Sequence, residues 1–199
     1  MKAIILDMHG VVMKDPTANL VSFIESYFPG TTFQDIYPIW KLAEIGKITS
    51  LQFWESLGFH NNLLEIEQKY LSTLEIDNDF YTFANYASKN FDLILLSNDV
   101  SEWNSYIREK YGLDKYFKIS VVSGNIGIRK PSREMFSYLL RALKQEPEAC
   151  FFVDDRRQNL HSALSLGINP ILFNRRKVEY TGIQVQNFCE LNTYFQSFL

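Results

Sequence analysis

The chain has 199 residues and sets 20 Lys plus Arg against 23 Asp plus Glu, a net charge of −3 that gives no global attraction for nucleic acid or an anionic membrane surface. A hydrophobic fraction of 46% and an aromatic fraction of 15% exclude a disordered chain, and the length suits one core with a small appended domain. No stretch approaches the roughly 20 apolar residues that cross a bilayer, and the apolar N-terminal run is too short for a signal peptide, so a soluble cytoplasmic protein is expected. Cys150 and Cys189 have neither disulfide nor metal-ligand spacing and read as buried, reduced thiols.

The run Ala3-Ile4-Ile5-Leu6 ends at Asp7-Met8-His9-Gly10, the pattern of a strand buried on both faces with Asp7 at its carboxyl end. Asp15-Pro16-Thr17 then opens a helix carrying Leu20, Phe23, Ile24 and Tyr27, which Pro29-Gly30 stops. A second helix is expected over residues 33–45, with Ile36, Ile39, Trp40 and Ala43 at helical spacing. Thr49 and Gln52 form a capping-box pattern for a third, short helix that Gly58 ends, and residues 62–74 make a fourth. Four helices without a strand, inserted after a single strand, predict a helical cap over 15–75, with 1–14 and 76–199 forming the core.

The core resumes with a helix over 77–89 and an apolar run at 91–96, followed by Ser97-Asn98-Asp99, where Asp99 and Glu102 read as a capping pair for the next helix. Residues 119–122 are a third strand. The stretch 124–132 is a glycine-interrupted loop holding Lys130, and Ser132 caps the helix after it. Residues 149–153 form a fourth strand cut off by Asp154-Asp155, a helix follows to Gly167, and 170–173 are a fifth strand. A last helix with Phe188, Leu191, Phe195 and Phe198 docks on the core. This alternation predicts an α/β fold whose parallel sheet has five strands or more, with right-handed crossovers and no internal repeats.

Polar residues thus stand at four strand ends: Asp7 and His9, Ser97 and Asn98, the loop with Lys130, and Asp154 with Asp155. Any one of these could be an ordinary turn residue. Carboxylates converging on one edge repel one another unless a hard divalent cation sits between them, and a hydroxyl, backbone amides and an ammonium complete a phosphate site. The set predicts phosphoryl chemistry.

In these residues the chain resembles the haloacid dehalogenase (HAD) superfamily, over essentially its whole length. The four motifs match Asp7-Met8-His9-Gly10-Val11, Ser97-Asn98, Lys130 within Arg129-Lys130-Pro131-Ser132, and Val153-Asp154-Asp155 with Asn159 downstream. The segment 96–173 most resembles the branch with glucose-1-phosphate phosphatases and the phosphatase domain of soluble epoxide hydrolases. The resemblance implies a Rossmann-like core with an inserted cap and hydrolysis of a small phosphorylated metabolite such as a sugar phosphate. It implies Asp7 as the nucleophile forming an aspartyl-phosphate, and Mg²⁺ held by Asp7, the backbone carbonyl of His9 and Asp155. Asp154 would orient Lys130 or a metal-bound water and so belongs with the metal set. Ser97, the Asn98 amide and Lys130 would grip the phosphoryl group. The protein would act as a monomer or homodimer.

His9 departs from the family's phosphatase pattern, which has Asp there as general acid and base. Imidazole could itself carry the proton near neutral pH; His9 could be inert, the substrate's leaving group sufficing; or the chain could bind phosphate and Mg²⁺ without turnover. A 2-haloacid dehalogenase is a further alternative, against which Asp154-Asp155 argue. His60 and His161 read as solvated bystanders. Trp40, Lys41 and Glu44 could line a substrate surface of the cap, Trp40 otherwise being core. The clusters Arg156-Arg157 and Arg175-Arg176-Lys177 read as solvated surface.

Overall fold

The computed structural model describes residues 2–198. Six strands, β1 (Ala3–Leu6), β2 (Asp92–Ser97), β3 (Ile119–Val122), β4 (Cys150–Asp154), β5 (Asn169–Phe173) and β6 (Gln184–Val185), form one parallel sheet in the order β3-β2-β1-β4-β5-β6. β1, β2 and β4 are buried along their whole length, which is why they read as unbroken apolar runs rather than alternating ones. β1 is central, with Leu6 in register with Leu95 on one side and Val153 on the other. The chain runs from β1 outward through β2 to β3, then crosses back to β4 on the other side of β1 and continues outward to β5 and β6, so the carboxyl end of β1 is a topological switch point where open α/β sheets bind ligands. The two-residue β6 carries no run that the sequence could announce, and it extends the sheet beyond the five strands read there.

Each sheet face buries its own apolar layer. Ile4, Leu6, Leu93, Leu95, Phe151 and Val153 pack beneath α5 (Asp79–Ala87), α6 (Ser101–Lys110) and α10 (Phe188–Gln196). Ala3, Ile5, Ile94, Leu96, Cys150 and Phe152 pack beneath α8 (Arg133–Leu143) and α9 (Arg157–Leu164). Between β1 and α5 lie α1 (Thr17–Glu25), α2 (Phe33–Glu44), α3 (Ser50–Ser56) and α4 (Leu63–Ser72), joined to the first layer through Phe23, Phe53, Trp54, Tyr70 and Trp103. Among the described residues no helix is long and apolar enough to cross a membrane.

The Thr49–Gln52 box forms as read: the Gln52 amide donates to Thr49 Oγ1, and the Thr49 amide donates to Gln52 Oε1. Ser132 caps α8 by accepting from the Glu134 amide. Three expectations are corrected. Asp99 and Glu102 do not cap α6, because the Asp99 carboxylate turns to other partners and Glu102 accepts from the Ser50 amide. The loop at 124–132 begins with a single helical turn, α7 (Ser123–Ile126), ended by Gly127 in the left-handed region. Cys189 is exposed while Cys150 is buried, since the first lies on the outer face of α10.

Candidate active site

Asp7 follows β1 directly, and its amide donates to Val153 O, which pins its backbone level with Asp154 at the end of β4. Lys130, wholly buried, places its ammonium 2.8 Å from Asp7 Oδ1 and 2.9 Å from Asp154 Oδ2, and donates to Leu96 O as well. An ammonium tolerates such burial only with paired charge and all donors occupied. Asp154 is equally committed: its carboxylate accepts from Asn159 Nδ2 at 2.9 and 3.0 Å and from the Arg156 amide at 2.8 Å. Asn98 fixes the Lys130 backbone from both sides, Nδ2 donating to Lys130 O and Oδ1 accepting from Lys130 N.

Asp7, Asp154 and Asp155 each offer an oxygen within 4.8 Å of the others. Burial pushes the Asp7 carboxyl up to about 7, with Lys130 opposing and Asp154 and Asp155 adding. Burial, then Asp154, lift Asp155 to about 6 against Arg156 and Arg176. Asp155 Oδ1 is buried and accepts no hydrogen bond from the described residues. Gly10, at φ +92°, lies so close that a Cβ would come within 2.7 Å of the Asp155 carboxyl carbon. A crowded acidic trio with an idle buried oxygen fits a hard cation. Asp7 and Asp155, two of the residues read for Mg²⁺, therefore have the donor chemistry it requires.

Ser97, the last residue of β2, is fully buried and its hydroxyl has no partner among the described residues. An idle buried hydroxyl is costly unless a ligand completes it.

His9 is not solvated. Its Nε2 lies 2.9 Å from Asp99 Oδ2, and the same carboxylate accepts from Asn104 Nδ2 and from the Val100 amide. Nδ1 is buried and unpartnered among the described residues. Desolvation works against the charged imidazole, but Asp99, with smaller help from Asp7 and Glu44, outweighs it and raises the pKa. Asp99 is the residue that sequence reasoning missed. The signal was positional: Asp99 lies two residues past Ser97 just as His9 lies two past Asp7, on adjacent parallel strands.

Arg175 lies on the surface, as read, yet its guanidinium is not free. It donates to Gly10 O at 3.2 Å and to Val11 O at 2.8 Å, and pairs with Asp77 at 2.6 Å, stapling the loop after Asp7. Arg176 pairs with Asp15 at the start of α1. His60 and His161 are exposed, away from the site.

A cleft of about 300 Å³ is lined by Asp7, His9, Asn98 and Lys130, by Trp40, Lys41 and Glu44 of α2, and by Arg129 and Arg156. Glu44, whose carboxyl burial raises, pairs with Arg129 at 3.0 Å.

A doubly wound parallel sheet with an acidic trio and a buried lysine at its switch point defines the class. A family model described as haloacid dehalogenase-like hydrolase matches residues 1–167, and the chain belongs to that family. It is similar to a drimenol cyclase of Aspergillus calidoustus, 32% identical over 96 residues that cover 48% of this chain and 16% of that protein. It is also similar to a flavin mononucleotide hydrolase of Arabidopsis thaliana, 29% identical over 107 residues that cover 53% and 38%. The chain thus spans less than half the length of these curated relatives. A HAD family enzyme of Bacteroides thetaiotaomicron, solved with magnesium and inorganic phosphate, shares the fold with a TM-score of 0.73 and 21% identity, over 86% of this chain and 93% of that one.

Proposed function

We propose that the chain is a Mg²⁺-dependent phosphatase of small phosphate monoesters, with sugar phosphates as the class implied by the branch it resembles. In this reading α1–α4, within 15–75, are the cap, and 1–14 with 76–199 are the catalytic core. The observation that carries it is Asp7, gripped by Lys130 at 2.8 Å and within ligand distance of Asp154 and Asp155.

Mg²⁺ would be held by Asp7, the backbone carbonyl of His9 and Asp155, and when bound it neutralises charge that otherwise keeps the phosphate from the carboxylate. Asp154, its lone pairs taken by Lys130, Asn159 and the Arg156 amide, orients Lys130 and lies behind the other two acids. Ser97 Oγ–H, the Asn98 amide and Lys130 Nζ bind the phosphoryl oxygens. Asp7 attacks phosphorus, the ester P–O bond breaks, and the leaving oxygen takes a proton from His9 Nδ1. His9 then accepts a proton from the water that attacks the aspartyl-phosphate, which frees inorganic phosphate and restores Asp7. Because Asp99 holds Nε2, Nδ1 is the nitrogen left for this work.

The test is a panel of phosphate monoesters with Mg²⁺, run on the wild type, Asp7→Asn, His9→Ala and His9→Asp. Phosphate release that Asp7→Asn abolishes is expected, with His9→Ala slowed by about 10²–10⁴-fold, the range of general acid–base catalysis. No release from any ester rejects the reading, and release that survives in Asp7→Asn rejects the assigned nucleophile.

A further inference from the structure

The acidic centre explains how a phosphoryl group would be held, but not what the aromatic residues that α2 brings to the cleft wall are for. Phe33, Tyr37 and Trp40 of α2 recur at i, i+4 and i+7, one helix face, and all three line the cleft that holds Asp7. Phe33 and Tyr37 lie nearly parallel, with centroids 5.0 Å apart and an interplanar angle of 30°, and they remain 38% and 37% exposed. Trp40 stands edge-on to Phe33 at 6.3 Å and is only 9% exposed, yet its indole nitrogen is buried with no acceptor among the described residues. Lys41, also lining the cleft, sits 5.7 Å from the Tyr37 ring.

We propose that this wall is a subsite for a planar heteroaromatic ring in the leaving group of the substrate. This deepens the phosphatase reading and rests on it. In phosphoryl transfer the attacking and leaving oxygens lie on opposite sides of phosphorus. With Asp7 behind the phosphoryl group, whatever lies beyond the ester oxygen extends away from Asp7 into the rest of the cleft, which residues of α2 line. A flat ring can extend the Phe33–Tyr37 stack by lying on an outer face of the pair, which a flexible polyol cannot do. Ring heteroatoms add the acceptor that the Trp40 indole lacks, and a plain hydrocarbon ring would leave that donor idle. The cleft volume of about 300 Å³ is at the small end of ligand pockets and suits one ring system with its phosphate arm.

The test uses primary phosphate esters of similar leaving-group chemistry that differ in the ring. Adenosine 5′-monophosphate, uridine 5′-monophosphate and pyridoxal 5′-phosphate are compared with ribose 5-phosphate and glycerol 3-phosphate. At least one ring ester is expected to exceed both ring-free esters in kcat/KM by about 5- to 100-fold, the range of one stacked base. Tyr37→Leu, and separately Phe33→Leu, should pull that ratio toward one. Phosphate release with a wild-type ratio at or below one for all three ring esters, or a ratio that neither variant lowers, overturns the subsite and leaves the phosphatase reading standing. If no ester is turned over, that reading fails instead, and the subsite is decided by calorimetric binding to the Asp7→Asn protein. There, tighter binding of a ring ester than of ribose 5-phosphate supports the subsite, and equal or weaker binding of all three overturns it.

Discussion

At the scale of single residues, the site is a problem in charge. Asp7 and Asp155 hold their protons up to about 7 and about 6 because burial, and next the neighbouring Asp154 carboxylate, penalise the ionised forms. A carboxyl whose folded pKa lies above its unfolded value stabilises the fold while protonated, and that contribution fades as pH rises through the folded pKa. The metal-free protein is therefore expected to lose melting temperature between pH 5 and pH 8. Mg²⁺ should raise the melting temperature more at pH 8 than at pH 5, because at the lower pH it must displace protons. Thermal unfolding with and without Mg²⁺ at the two pH values checks both. In the proposed mechanism Asp99 positions His9 through their 2.9 Å contact. Asp99→Ala should lower kcat by about tenfold or more with a smaller change in KM, since a misplaced acid–base group costs rate rather than ground-state binding. Equal losses from Asp99→Ala in the wild type and in His9→Ala would show that Asp99 does not act through His9. That Asp7, Ser97, Asp154 and Asp155 stand together at one sheet edge was legible because each ends an apolar strand run, whereas Lys130, in the loop after α7, was read from the motif that it resembles. Asp99 was not legible, because an Asp three residues before a Glu is also the ordinary mark of a helix start. Only the pairing of β1 with β2 tells that this carboxylate faces an imidazole 90 residues earlier.

At the scale of elements, helix and strand types followed from periodicity, whereas the contacts that set their mutual positions did not. Gly46 ends α2 at φ +66°, and a Cβ there would run into the carbonyl of Gly124 in α7. Backbone thus meets backbone with no side chain that could give way. Gly46→Ala should cost about 1–3 kcal/mol, from strained φ plus the clash, and should displace the wall that carries Phe33, Tyr37 and Trp40. Denaturant unfolding measures the first effect, and a rise in KM the second. Arg175 acts similarly on the loop after β1. Arg175→Ala should cost about 1.5–3 kcal/mol for a lost charge-assisted bond to backbone, and should weaken Mg²⁺ binding, because Gly10 and Val11 lose their staple. Sequence reading placed Arg175 in a surface cluster because basic triplets usually are surface. Its function comes from a partner loop more than 160 residues away, which no local pattern records.

At the scale of the molecule, the inserted helices are bound to the core by more than apolar contact. The indole nitrogens of Trp54 on α3 and Trp103 on α6 both donate to Glu67 Oε2, at 3.1 and 2.7 Å. One carboxylate of α4 thereby joins two aromatic donors from opposite sides of the seam. Glu67→Ala should destabilise the protein by about 1–3 kcal/mol per donor left unpaired, with Glu67→Gln recovering part of the loss; urea titration of both variants checks this. The composition announced an aromatic core, and the helical spacing named its members, but the seam lies between helices that the sequence could only count.

The position of β1 has a further consequence for how the protein comes into being. Made first, β1 ends up in the middle of the sheet, between partners that start at Asp92 and Cys150. Until β4 has been synthesised, one edge of the most apolar strand has nothing to pair with, an arrangement of high contact order that folds slowly and exposes a sticky edge meanwhile. The acidic trio draws on the ends of β1 and β4, so it cannot exist in a nascent chain that stops short of Asp155. The acidic trio would thus come together once β4 has paired with β1, before β5 and β6 have been added to the sheet.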